Sequence, residues 1–182
     1  MKRFCSRIIY CAPEKILKQA VVEQNDAGII SDLFLINSRH SESSQTLLVD
    51  GVISAEPLSL KQHLAPEKFR AIQNTYNYID LSAGFLSTDF LPEKKLLLDF
   101  GTNSIKEINE LLKFSFPLLA QFFLRLDKPL FDILAACVYY PRLELSQPAE
   151  LQQGVEVNLV QWKGFDLVNN RLTEKLTLTY LF

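Results

Sequence analysis

Residues 47–60, LLVDGVISAEPLSL, change from a run of aliphatic side chains to small residues, a glutamate and a proline. The first half, through Ile53, has the apolar and β-branched composition of a buried strand. Pro57 has no backbone N–H to donate to a neighbouring strand, so it favours a chain that leaves the sheet here. The stretch therefore predicts a junction at which a β-rich N-terminal segment ends and a different structure begins.

Four short strands are predicted in the N-terminal part of the chain, up to this junction. Each is rich in aliphatic, β-branched or aromatic residues and is bounded by residues that favour turns. Asn25 to Gly28 provide polar turn residues followed by a glycine, so the second and third strands are expected to form a hairpin. A polar loop is predicted over residues 37–44. The four strand segments are RFCSRIIYC (3–11), QAVVEQ (19–24), GIISDLFLI (28–36) and QTLLVDGVI (45–53).

The middle of the chain predicts mainly helices. After Pro66, apolar residues recur at spacings of three and four through Ile79, which predicts an amphipathic helix over residues 66–79. Ser104 and Glu107 have the spacing of a capping box, in which each side chain binds a free backbone N–H of the other. This pair predicts the start of a helix, and a short strand, LLLDF (96–100), is predicted just before it.

Two further helices are predicted around prolines. Pro117 is expected to begin the helix LLAQFFLRL (118–126), which is apolar on almost every face and should therefore be buried. The next helix is predicted over residues 130–140. It should end at Pro141, since a proline in a helix interior removes a hydrogen bond.

Strand character returns at the C-terminal end, in EVNLVQW (156–162) and LTEKLTLTYLF (172–182). The order of strands, then helices, then strands predicts an α+β fold in a single compact unit. We expect a composite β-domain, a small β-sandwich or β-roll built from residues 1–55 and 146–182. A mainly helical insert, residues 56–145, is expected to pack on this domain.

The composition argues against several classes of function. The chain has 182 residues, a net charge of -2 and no clustered Lys and Arg, so we expect no nucleic-acid surface. No stretch approaches the ~20 apolar residues of a membrane span, so we expect no membrane association. The three cysteines, Cys5, Cys11 and Cys137, lack C-x-x-C spacing, which predicts free and unreactive thiols in a reducing cytoplasm.

The junction resembles a known family. The N-terminal strands that end in LLVDGVISAE (47–56) are similar to the start of amidohydrolase-superfamily enzymes of the cytosine deaminase and chlorohydrolase type. In those enzymes a β-domain strand enters the first barrel strand through the pattern L-x-x-P-G-[FL]-[VI]-[ND]-x-H-x-H. Gly51 matches the glycine, Ile53 matches the aliphatic position, and Ser54 with Ala55 match the small polar pair.

The C-terminal end resembles the same family. Residues 130–145 are similar to its last barrel helix, and residues 149–160 are similar to the pattern G-x-[IL]-x-x-G-x-x-A-D-[LI]-[VI]. Gly154 matches a glycine of that pattern, and Asn158 stands at the position of the aspartate. The resemblance implies that the composite β-domain is kept. A complete (β/α)8 barrel takes ~250 residues, so the resemblance also implies that a helical insert replaces most of the barrel.

Two positions in this resemblance decide the functional prediction. The family binds its catalytic metal through the H-x-H histidines, and Glu56 and Leu58 occupy those positions here. Leucine cannot bind a metal, and the chain has two histidines in all, His40 and His63. A hydrolytic metal site needs about three protein ligands. We therefore predict a non-catalytic pseudoenzyme, without metal or cofactor, whose role is binding or assembly.

Two alternatives stay open. Glu56, His63, Asp80, Asp89 and Asp99 could form a relic site of carboxylates and a histidine, or they could be ordinary surface, helix-end and loop residues. The chain could also be a small enzyme or ligand-binding protein with a pocket rebuilt from the insert. Glu56 and His63 are then the first candidates for binding residues. The aromatic residues of the insert could line such a pocket or fill the core.

A protein partner is predicted from the apolar segment 116–126, FPLLAQFFLRL. Loss of the barrel exposes the face of the β-domain that would have packed against it. A large apolar surface of this kind is normally buried against another element or another subunit. The insert, a second subunit or both would cover it. We therefore expect a homo-oligomer or another protein partner, with a homodimer as the preferred assembly.

Overall fold

The computed structural model describes residues 1–36, 45–83, 90–126, 130–169 and 171–182, and for residues 122–126 and 130 it describes the backbone alone. The predicted loop over residues 37–44, together with His40 and Asp89, lies outside the described residues.

The described chain contains strands at both ends and helices in the middle. The strands are β1 (Lys2–Ala12), β2 (Lys15–Gln24), β3 (Ile30–Leu35), β4 (Thr46–Ala55), β5 (Tyr76–Asp80), β6 (Lys95–Asp99), β7 (Leu159–Asp166) and β8 (Arg171–Tyr180). The helices are α1 (Pro66–Thr75), α2 (Ile105–Leu126), α3 (Leu130–Leu134) and α4 (Tyr140–Glu144), with a π-helical turn, Ala135–Tyr139, between the last two.

Six strands from the two ends of the chain form one sheet in the order β3-β2-β1-β4-β7-β8. Neighbouring strands are antiparallel except β1 and β4, which are parallel. The C-terminal strand β7 pairs with the last residues of β4, directly before the junction. This arrangement confirms the α+β class. The proposed domain boundaries stay a prediction.

The predicted hairpin between the second and third strands is confirmed, because β2 and β3 pair as antiparallel neighbours. Its turn is held by the side chain of Asn25, whose Oδ1 accepts hydrogen bonds from the backbone N–H groups of Ala27 and Ile29. Gly28 adopts φ +80, a left-handed conformation that glycine reaches without steric cost. The local turn chemistry therefore positions β3 at the edge of the sheet.

The helix predicted over residues 66–79 is shorter than expected, because α1 ends at Thr75 and the chain continues as β5. Tyr76 and Ile79 are buried as predicted, but from a strand that pairs in parallel with β6. Pairing with a distant strand here outweighs local helix propensity. The middle of the chain thus contains a small parallel sheet beside its helices.

Helix α2 begins near the predicted capping box and runs through Pro117 without a break. The Ser104 hydroxyl accepts the N–H of Glu107 at 3.5 Å, whereas the Glu107 carboxylate binds the hydroxyl of Thr102 instead of the N–H of Ser104. Asn109 anchors the helix to β8, because its amide makes two hydrogen bonds, of 2.9 and 2.8 Å, with the backbone of Leu178. Packing along β8 therefore compensates for the bond that Pro117 removes.

The last helical segment passes its predicted end at Pro141 and continues to Glu144. The chain enters α4 from the π-helical turn, and Pro141 occupies the first turn of α4. The helical backbone is continuous up to this proline, and the turn before it is the wider π-helical one, in which the N–H of Tyr140 donates to the carbonyl of Ala135. This extension carries Arg142 to the end of β4.

The core packs the six-stranded sheet against α2 and the π-helical turn. Its largest fully buried side chain is Trp162 of β7, whose Nε1 donates a hydrogen bond of 2.8 Å to the hydroxyl of Ser54 in β4. Three of the residues that match the resembled pattern at the junction, Ile53, Ser54 and Ala55, are therefore buried in this core. In the part of the chain that the structure describes, no helix has both the length and the apolar character needed to cross a membrane.

Candidate functional site

Glu56 follows the last residue of β4 and joins three separate parts of the chain. Its backbone N–H donates to the carbonyl of Asn158 at 3.0 Å, and its carbonyl accepts a hydrogen bond of 3.1 Å from Nη2 of Arg142. Its carboxylate accepts hydrogen bonds from the amide of Asn158 at 2.9 Å and from the hydroxyl of Tyr180 at 3.0 Å. The end of β4 is thereby tied to α4, to the segment before β7 and to β8.

The contact with Glu56 explains why position 158 holds an asparagine. Its Nδ2 donates to Oε1 of Glu56, so an aspartate at the same place would bring two carboxylates together. Two of the three departures from the resembled pattern, Glu56 and Asn158, therefore contact each other and are chemically matched. Both positions could be identified from the sequence, but no signal there indicates that they are partners.

Tyr180 donates a hydrogen bond to Oε2, the second carboxylate oxygen of Glu56. Burial and then the negative charge of Glu56 raise the pKa of Tyr180 to about 12, so the phenol keeps its proton at neutral pH and donates a hydrogen bond to the carboxylate. The same hydroxyl lies 3.4 Å from the backbone carbonyl of Asn103. Tyr180 therefore connects Glu56 with the loop before α2.

His63 lies on the surface at the other end of this connection. Its Nε2 is 3.1 Å from Nδ2 of Asn103, and Oδ1 of Asn103 accepts the backbone N–H of Ser59 at 2.5 Å. Because the oxygen of Asn103 is occupied by a donor, its Nδ2 donates and His63 Nε2 accepts, which places the proton of a neutral ring on Nδ1. The structure thus links the candidates Glu56 and His63 through Tyr180 and Asn103, and not by direct contact.

A cleft of about 470 Å³ opens beside Glu56. His63 does not belong to its lining. The lining residues come from the β2–β3 turn, the end of β4, helix α4 with the residues after it, and the segment before β7; they are Ala27, Gly28, Glu56, Leu58, Arg142, Gln147, Pro148, Gly154, Val155, Glu156, Val157 and Asn158.

Arg142 is a functional candidate that could not be identified from the sequence. The residue is only 4% exposed, and among the described residues its Nε has no hydrogen-bond partner. Burial lowers the pKa of its guanidinium, and the nearby charge of Glu56 opposes that change. A single arginine after a proline at a helix end carries no pattern that would predict burial, since most arginines are exposed.

Asp99 and Asp80 lie at the carboxyl ends of β6 and β5 and belong to a separate cluster. The fully buried carboxylate of Asp99 accepts four hydrogen bonds, two at each oxygen. Oδ1 accepts from the hydroxyl of Ser59 at 3.0 Å and the N–H of Gly101 at 2.7 Å. Oδ2 accepts from the N–H of Lys61 at 3.1 Å and the hydroxyl of Tyr78 at 2.9 Å.

The side chain of Lys61 leaves this cluster and forms an ion pair with Asp80. Partial burial tends to raise the pKa of Asp80, but hydrogen bonds from Lys61 and Ser82 outweigh it, so the net change is a lower pKa. Burial and the charge of Asp99 raise the pKa of Tyr78, which keeps that phenol protonated as a donor. The cluster therefore anchors residues 59–61 to the small parallel sheet.

The described residues of the predicted relic site are thus divided among three places. Asp80 and Asp99 share the neighbourhood of Lys61, whereas Glu56 lies at the cleft and His63 lies on the surface beside Asn103. Within the described residues, no group of three or more His, Cys, Asp and Glu side chains has an arrangement that could hold a metal ion.

Comparisons with protein-family models and with curated proteins found no match. Among solved structures, the crystal structure of N-acetyl-D-glucosamine-6-phosphate deacetylase from Mycobacterium smegmatis is similar to 68% of this chain, with 8% sequence identity and a TM-score of 0.26. The matched region spans 30% of that protein. A structural similarity at this level is weak and carries no conclusion about the family or the activity of this chain.

Proposed function

We propose that the chain is a non-catalytic, amidohydrolase-like protein of the cytoplasm that binds a small polar molecule in the cleft beside Glu56. The cleft itself is the observation that carries this proposal. Its volume of about 470 Å³ is in the range of small-molecule sites, and its lining combines apolar residues with charged and amide side chains. Cys5, Cys11 and Cys137 are reduced cysteines, which is in line with a reducing compartment.

The non-catalytic part of the proposal is supported by the two positions that the resembled enzymes use for metal binding. Leu58 is a buried apolar residue, and both carboxylate oxygens of Glu56 already accept hydrogen bonds from Asn158 and Tyr180. Glu56 thus serves as a structural tie at the edge of the cleft. Turnover of deaminase or hydrolase substrates by the purified protein would contradict this part of the proposal.

Filling the cleft is expected to abolish binding without unfolding the protein. Gln147 lines the cleft and is exposed, so Gln147→Trp places an indole there at little cost in packing. A ligand at about 100 times its dissociation constant stabilises a protein by about 2.7 kcal/mol, which for this chain length raises the melting temperature by roughly 5–10 °C. We expect such a shift in wild-type protein during a thermal-shift screen of small polar metabolites, and none in Gln147→Trp.

Gln152→Trp is the matched control for this screen. Gln152 is also exposed and close in sequence, but it does not line the cleft. The control should keep the wild-type response to each ligand. Equal responses in wild-type and Gln147→Trp protein would show that the ligand binds elsewhere.

We also propose that two copies of the chain assemble through α2. Phe114 is 83% exposed and Leu118 is 46% exposed, and a spacing of four residues places them on one face of the helix. Apolar side chains of this size are depleted from free surfaces and enriched in subunit interfaces. A homodimer packed along this face would remove both from water.

The assembly is expected to depend on Phe114. Wild-type protein should have twice the chain mass of 20.8 kDa in light scattering, and Phe114→Glu should have the mass of one chain because a carboxylate cannot be buried unpaired in the interface. Val168 is 93% exposed in the turn before β8, so Val168→Glu is the matched control and should stay dimeric. A wild-type monomer, or a dimeric Phe114→Glu protein, would contradict the proposed interface.

A further inference from the structure

We propose that the cleft binds a small amino carboxylate, such as a free amino acid, with the carboxylate paired to Arg142 and the ammonium group facing Glu56 and Glu156. This inference rests on the proposed function, since it assumes that the cleft is a binding site. It adds the chemical class of the ligand and the residue that recognises it.

One donor of Arg142, its Nε, is buried and has no hydrogen-bond partner among the described residues. Its guanidinium is buried but makes no ion pair with any described residue, and the hydrogen bond from Nη2 to the carbonyl of Glu56 is its single described partner. Buried charges in proteins are normally paired and their donors satisfied. The guanidinium of Arg142 therefore lines the cleft with its charge unpaired and one donor unused, and a carboxylate is the group that fits its planar fork best.

The charges around Arg142 restrict the ligand further. Glu56 and Glu156 also line the cleft, so the three ionised side chains together carry one net negative charge. A simple anion would be attracted by Arg142 but repelled by both carboxylates. A molecule with a carboxylate and an adjacent ammonium group matches both signs at once. Electrostatic complementarity of this kind selects one ligand class against the others.

A structural role for Arg142 gives the opposite expectation for one substitution. If the guanidinium only clamps the carbonyl of Glu56, Arg142→Met removes a useful bond and destabilises the protein. If instead the charge of Arg142 stays unpaired until a ligand binds, Arg142→Met replaces an uncompensated buried charge with apolar atoms. This gain offsets the loss of the hydrogen bond to the carbonyl of Glu56. The melting temperature of the ligand-free variant should then equal or exceed that of wild-type protein.

The experiment is calorimetric titration of full-length protein with each of the common amino acids, with the amine that lacks its carboxylate, and with the acid that lacks its amino group. We expect at least one amino acid to bind wild-type protein and its amine to bind at least about 30-fold more weakly, the loss typical of removing one member of a buried charge pair. Arg142→Met should lose this binding while keeping its melting temperature. Equal affinity for amino acid and amine, or full binding by Arg142→Met, would overturn the inference.

A second variant decides the outcome if Arg142→Met does not fold. Glu156 lines the cleft but is exposed, so Glu156→Gln should fold normally. We expect it to weaken binding of the amino acid by roughly two- to fivefold, as for a partly solvated ion pair, and not to weaken binding of the acid without an amino group. Equal effects on both ligands, or no effect, would overturn the inference.

The same titrations separate this inference from the proposed function. If another class of small molecule binds and Gln147→Trp abolishes that binding, the cleft is a binding site but its ligand is not an amino carboxylate. If no compound binds in a way that depends on Gln147, the proposed function is wrong as well.

Discussion

Asp99→Ala is expected to lower the free energy of unfolding by about 4 kcal/mol or more, because the change leaves one buried and three partly buried donors without their acceptor. The donors are the hydroxyls of Ser59 and Tyr78 and the backbone N–H groups of Lys61 and Gly101. Loss of the carboxylate would also release residues 59–61 from the carboxyl end of β6. Urea unfolding monitored by the fluorescence of Trp162, the single tryptophan, measures the effect.

Two control variants test the reason for this loss. Asp50 is exposed, so Asp50→Ala should change the free energy of unfolding by less than about 0.5 kcal/mol. Asp99→Asn keeps an acceptor at one of the two positions and should lose less than Asp99→Ala. A loss below about 1 kcal/mol in Asp99→Ala would mean that the buried carboxylate does not hold this cluster together.

Gly51→Ala is the second substitution with a large expected effect, about 3 kcal/mol or more. Gly51 has φ +114, and a Cβ at this position would lie 2.2 Å from the backbone oxygen of Trp162. The register between β1 and β4 shifts next to this residue, and the hydroxyl of Ser6 donates to its carbonyl at 2.8 Å. A side chain would therefore force β4 away from β7 at the centre of the sheet.

Gly154→Ala separates the two causes of this effect. Gly154 also has a positive φ, +85, but a Cβ there would meet no atom within 4 Å. The control should lose about 1 kcal/mol from backbone strain alone. Chemical denaturation of both variants gives the comparison, and equal losses would contradict a steric role for Gly51 against β7.

The parts of the fold that follow from local sequence could be predicted. The hairpin at Asn25 to Gly28 depends on turn chemistry within a few residues, and the terminal strands depend on composition and alternation. The order of strands, helices and strands also predicted correctly that both ends share one sheet. Gly51 matches the glycine of the resembled pattern, and a Cβ at this position would meet the backbone of Trp162.

The parts that depend on distant residues could not be predicted. Helix α1 ends at Thr75 because β5 pairs with β6. The spacing of apolar residues over 66–79 gives no indication of this pairing. Helix α2 passes Pro117 because Asn109 and the apolar face bind β8. In both cases tertiary pairing outweighed a local signal.

The candidate site shows the same division between local and distant signals. Glu56 could be identified because it replaces a histidine of a recognised pattern, but its partners come from far away in the sequence. Arg142 is separated from Glu56 by 86 positions along the sequence, and Tyr180 is separated from it by 124. His63 was suspected because it is a histidine within the predicted insert, and it contacts Asn103 outside the cleft. Only the assembled sheet brings Arg142 and Glu56 to one cleft.

Binding in the cleft is tested most directly by a two-dimensional NMR titration of ¹⁵N-labelled protein with small polar metabolites, including amino acids. Four glycine amides serve as probes. Gly28 and Gly154 line the cleft, whereas Gly101 lies beside Ser82 and Gly164 lies in β7. We predict that a binding compound shifts the Gly28 and Gly154 signals in proportion to occupancy and leaves those of Gly101 and Gly164 unchanged. Shifts confined to Gly101, or no shift at Gly28 and Gly154 with any compound, would contradict a binding site in this cleft.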